Sequence, residues 1–225
     1  MKRPWAATTL LLLISSGFLV TGAVEFGREL GPYTVASSAP EQRFAAMLGG
    51  ETVPAHSFWS KEQFFRDCVD FPRSYVGLAQ PAQRRDAFMT LCGRAATEAT
   101  REMPLYARAW LALAVLAADV DDRTGLEQTL GEAVRAAPFA QYLAQVRVAL
   151  VGEKMPGVSD GLAALYTQDT LALLLSQPGR EVMASRYVNF PAERPAIRAA
   201  VETAPESQQQ EFVATLQRQT AEAGQ

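Results

Sequence analysis

Residues 107–138 read ARAWLALAVLAADVDDRTGLEQTLGEAVRAAP, and the periodicity in them is helical. Trp110, Leu113 and Ala114, then Leu130 and Ala133, recur at three- and four-residue steps, which collects them on one stripe of each helix. The spacing predicts helices over 105–118 and 124–137, joined by the acidic turn DVDD, with Pro138 stopping the second.

The same grammar extends in both directions. Pro72 and Pro104 end helices predicted over 60–69 and 82–103, the second with Phe88, Leu91, Cys92 and Ala95 on one face. Ser60 followed by Gln63 forms a capping box at the start of the first. Downstream, helices are predicted over 140–151, 160–176, 178–187, 195–202 and 206–221. In this part Leu171, Leu174, Leu175, Val182, Met183 and Tyr187 are candidate core positions. No stretch alternates in the β-branched manner of a strand, so the expected fold is all-α, built of antiparallel helix pairs with short connections.

Towards the N-terminus the pattern changes. Lys2 and Arg3 precede WAATTLLLLISSGFLVTGAV, an uncharged run over residues 5–24 that ends at Glu25. At about 1.5 Å per residue it spans roughly 30 Å, the depth of a bilayer core. The flanking positive charges would keep the N-terminus cytoplasmic and send the rest across the inner membrane, with Trp5 at the interface. A cleaved signal peptide is the competing reading, because Thr21 and Ala23 resemble the small residues before a cleavage site. Either way the remainder is expected in the periplasm, single-pass anchored or secreted. No Cys lies near the end of the run, which speaks against an acyl anchor. The expected organisation is a signal anchor over 1–24, a Gly-, Pro-, Ser- and Thr-rich stalk over 25–59 with one short helix at 40–48, and a helical domain over 60–225.

The 225 residues carry 48% hydrophobic and 20% charged side chains, enough apolar material for a core of ordinary size. The net charge of −3 becomes −5 without Lys2 and Arg3, so neither a nucleic-acid groove nor a polybasic lipid patch is indicated.

The segment 107–140 resembles a single tetratricopeptide repeat, on Trp110, Leu113, Ala114, Leu130, Ala133 and Pro138. In such a unit Trp110 and Leu113 would fill the gap between two helices, and Ala114 and Ala133 would permit their close approach. The segment departs from the family at Ala117, where a large aromatic is usual, and at Leu126, where a small residue is. Upstream, only Ala99 and Pro104 repeat the pattern. The resemblance implies binding of a protein partner rather than chemistry.

Cys68 and Cys92 lie on neighbouring predicted helices, and an oxidising compartment favours their pairing as a structural disulfide, two buried thiols being the alternative. Neither belongs to a C-x-x-C motif, which disfavours redox catalysis and haem attachment. His56 is the single histidine, so a Ser-His-Asp or Cys-His arrangement could pivot only on it and a metal would find no second histidine; within VPAHSFW it reads as a partly buried loop residue. Asp119, Asp121 and Asp122 lack the ligand order of a calcium loop and read as a solvated turn. With no cofactor, metal site or catalytic constellation indicated, the expected function is a membrane-anchored periplasmic adaptor that binds envelope proteins, in polysaccharide biosynthesis or export. The alternatives are a client-binding assembly factor of the cytochrome-maturation kind and a glycan-acting enzyme with dispersed carboxylates.

Overall fold

The first helix of the computed structural model, which describes residues 5–52, 54, 57–155 and 157–223, does not stop where the uncharged run ends. Helix α1 covers Trp5–Ala36, carrying three further turns past Val24 through Gly27, Gly31 and Pro32, residues that read as a stalk. Its Thr9–Val35 stretch is long and apolar enough to cross a membrane, and its most apolar 18-residue window has no buried residue. The remaining helices are α2 (Pro40–Leu48), α3 (Phe58–Asp70), α4 (Tyr75–Leu78), α5 (Ala82–Glu102), α6 (Ala107–Asp119), α7 (Arg123–Ala136), α8 (Gln141–Gly152), α9 (Asp160–Leu174), α10 (Gln177–Asn189), α11 (Arg194–Thr203) and α12 (Glu206–Ala223). Two 3₁₀ turns, Phe71–Arg73 and Pro191–Glu193, complete the chain, and no strand occurs among the described residues.

Local chemistry explains most of the starts. Ser74, Ser159 and Ser176 hydroxyls and the Asp122 carboxylate each accept a hydrogen bond from the backbone N–H three residues on, satisfying an orphan donor of the helix they precede. Helix α3 is capped by Ser57, whose Oγ accepts from Ser60 N, and not by Ser60 as the capping-box reading has it. The difference arises because the Ser57 hydroxyl is itself held by Glu29 of α1, a contact distant in sequence.

The chain divides into two compact units, Met1–Ala95 and Ala96–Gln225. The core of the first is aromatic: Phe44 and Phe88 stack at 4.8 Å, and Phe71 meets both edge-on at 5.8 and 5.7 Å. Beside them the Cys68 and Cys92 sulfurs stand at disulfide distance, 2.06 Å, with Cα atoms 5.7 Å apart. Arg43 of α2 donates to the Asp67 carboxylate of α3 at 3.2 Å. Burial pushes that carboxyl up, against the pull of Arg43.

In the second unit α6 packs against α7, α8 against α9, and α9 and α10 against α11 and α12 respectively. Leu111, Leu126, Leu130, Leu143, Leu162 and Leu173 are fully buried there. The polar C-terminal helix α12 is docked: Phe212 is buried and Arg180 of α10 bridges to Glu211 at 2.9 Å.

Candidate functional site

Among the residues singled out in 107–138, Ala114, Leu130 and Ala133 are fully buried. Trp110 and Leu113 are half-buried rather than enclosed between the helices. The Trp110 indole N–H donates to the Pro104 carbonyl at 2.8 Å, which holds the ring against the turn before α6, and Leu111 and Val115 fill the buried face instead. Pro138, half-buried, follows the end of α7 and turns the chain into α8.

That turn forms one wall of an apolar cavity in the second unit, a groove of about 670 Å³. Pro138 and Phe139 stand on one side, Thr167 and Leu171 of α9 form the floor, and the Thr203–Gln208 junction between α11 and α12 closes the other side. Phe139 and Leu175 are 76% and 56% exposed, so Leu175, expected in the core, stands instead at the rim of the groove. Among the described residues no charged one lines it. Its only polar side chains among them are threonines and glutamines.

The walls are held rigid from behind. Gln141 donates through Nε2 to the Ala172 carbonyl at 3.3 Å and accepts through Oε1 from the Ser176 hydroxyl at 2.5 Å, tying the start of α8 to the end of α9. Across the groove, Gln209 Nε2 donates to the Ala204 and Glu202 carbonyls at 2.8 and 3.3 Å, setting the α11–α12 turn.

Several charged side chains of the unit brace the scaffold. Arg147 of α8 reaches Asp169 of α9 through Nε and Nη2, at 2.9 and 2.6 Å, both side chains almost wholly buried. Glu193 accepts from the Tyr166 hydroxyl at 2.8 Å and from Arg186 Nε at 2.7 Å, and burial with the neighbouring carboxylate pushes the Tyr166 phenol far above its ordinary range. A second, polar cavity of about 650 Å³ lies between α7 and the start of α9, and its Arg123, Glu127, Glu132 and Arg135 are each bonded to the chain.

In the acidic turn, Asp122 caps α7 and Asp121, at φ 54°, accepts from Lys154 at 2.9 Å. That hydrogen bond, then the charge of Lys154, holds the Asp121 carboxyl below its usual range. No group of three His, Cys, Asp or Glu side chains gathers at metal-binding distance among the described residues, and His56 lies outside them. The groove has only a weak sequence signal, the apolar Phe139 directly after a helix-stopping proline. Comparison with known proteins leaves the reading to this geometry: no family model, no characterised protein and no solved structure matches the chain.

Proposed function

We propose that this chain is a membrane-anchored adaptor of the bacterial cell envelope. Helix α1 holds it in the inner membrane with the N-terminus cytoplasmic, and the helical domain works in the periplasm. There the groove beside Phe139 and Leu175 takes an apolar segment of a partner protein. The observation that carries the reading is this uncharged groove with two large apolar side chains open to solvent, on a chain whose first helix is apolar enough to span a bilayer. The likeness of residues 107–140 to a helical protein-binding repeat points the same way, and assembly or export of a surface polysaccharide is the setting proposed. A Cys68–Cys92 bridge suits an oxidising compartment.

The test is photo-crosslinking in the native host from probes placed at Phe139 and Leu175. Adducts to an envelope protein are expected at both sites. Phe139→Asp with Leu175→Asp is expected to abolish co-purification of that protein while leaving the fold intact. Unchanged co-purification would remove the groove from the function, and a C-terminal reporter active in the cytosol would remove the compartment.

A further inference from the structure

Helix α3 opens on two aromatic residues that the first unit leaves outside. Phe58 and Trp59 are 51% and 66% exposed, rings edge-to-face at 5.5 Å, whereas Phe64, Phe65, Cys68 and Val69 on the same helix are buried. Their position along α1 is defined. Ser57 donates to Glu29 through its backbone N–H at 2.9 Å and through its hydroxyl. Farther along, Val35 of α1 and Gln63 of α3 line one small cavity. Residue 29 therefore stands by 57, and residue 35 shares a cavity with 63, 64 and 67 farther along α3, so α3 runs beside α1 in the same direction. The N-terminal end of α3 is the end nearer the uncharged run.

Glu29 lies five residues beyond Val24, about 7.5 Å along the helix axis. A bilayer whose apolar core matches residues 5–24 has a headgroup layer of roughly 5–8 Å on each side, so Ser57 sits at its outer part. Helical side chains tilt towards the N-terminus of their helix, which leans Phe58 and Trp59 back towards the acyl boundary. Tryptophan favours that boundary because it combines an apolar ring with one polar N–H. Helix α1 itself supplies the exposed Phe26 in that layer, about 3 Å beyond Val24 along the axis. The two charges nearest the run, Glu25 and Arg28, neutralise each other at 3.0 Å.

We infer that the Phe58–Trp59 corner is a second membrane contact: its rings enter the headgroup layer of the bilayer that α1 crosses, and this fixes the first unit against the lipid surface. The inference rests on the reading of α1 as a membrane span.

The experiment uses the full chain in phosphatidylcholine–phosphatidylglycerol vesicles, with and without lipid brominated near the carbonyl end of its acyl chains. The three tryptophans are separated by difference, wild type against Trp59→Ser and against Trp5→Phe. Both substitutions leave Trp110 and its hydrogen bond in place. Brominated lipid is expected to quench Trp59 about twofold, as it does Trp5 at the opposite interface. Quenching of Trp5 without Trp59 would place the corner in water or against protein, and would overturn the inference while leaving the anchor standing. Failure to quench either would overturn the anchor and the corner together.

Discussion

Arg147 is the only charged residue in α8, and Asp169 is the only one in α9 after its first residue. Both are buried and they bond to each other through two guanidinium nitrogens. Removing one partner strands a charge in a low-dielectric interior, while removing both leaves only a packing problem. Arg147→Met and Asp169→Leu are each expected to cost about 3–5 kcal/mol, and the double substitution to be neutral or stabilising by about 1–4 kcal/mol. Denaturant midpoints at constant slope measure all three, and additivity of the single effects would contradict the account. Burial, outweighing the pull of Arg147, raises the Asp169 carboxyl in the folded chain. The folded state then takes up a proton that the unfolded state, with an ordinary carboxyl, has already lost. Stability accordingly falls as pH rises from about 3.8 through the raised value, and this slope should flatten in the double variant. The pair was open to detection in sequence as a solitary charge in each of two apolar helices. Its mutual geometry was not, because residues 22 apart reveal a contact only once α8 and α9 are packed.

At the scale of elements, the junction between α9 and α10 is set by backbone proximity. Ser176 caps α10, and a Cβ added at Gly179 would stand 2.0 Å from the Leu173 carbonyl oxygen, a backbone atom that cannot rotate away. Gly131, inside α7, has open space at the same position. Gly179→Ala is therefore expected to destabilise by about 1–3 kcal/mol through overpacking. Gly131→Ala should stabilise by about 0.5–1 kcal/mol by removing backbone freedom from the unfolded chain. Thermal melts of the two variants check both signs, and equal effects would refute the assigned clash. Helix stops were legible where the signal is local: Pro104 behind α5 and Pro138 behind α7 are examples. Boundaries were missed where a distant group decides. Glu29 draws the cap of α3 to Ser57, and α1 continues through Gly27, Gly31 and Pro32 although composition alone reads as loop. The groove was hidden for the same reason, since its walls come from segments separated by some 30 residues each.

For the whole molecule, the two units differ in what holds them. The second spans Ala96–Gln225, carries no cysteine and buries a leucine core of its own, an ordinary size for an independent hydrophobic core. Within the first, the part beyond α1 is small, a core of five buried phenylalanines, Phe44, Phe64, Phe65, Phe71 and Phe88, with one bridge beside it. Closing a loop with cysteines 24 apart limits the unfolded chain and is worth roughly 3 kcal/mol on the chain-entropy account. A core this small has little else to offset the loss, so reduction should unfold the first unit well before the second. Tryptophan provides separate probes, Trp59 in the first unit and Trp110 in the second. In detergent, reductant or Cys68→Ser with Cys92→Ser is expected to lower the midpoint seen by Trp59 by several degrees or more and to leave that of Trp110 unchanged. A common midpoint that moves as one would mean that the bridge stabilises the entire chain, and the assignment of a separate core to each unit would have to be abandoned.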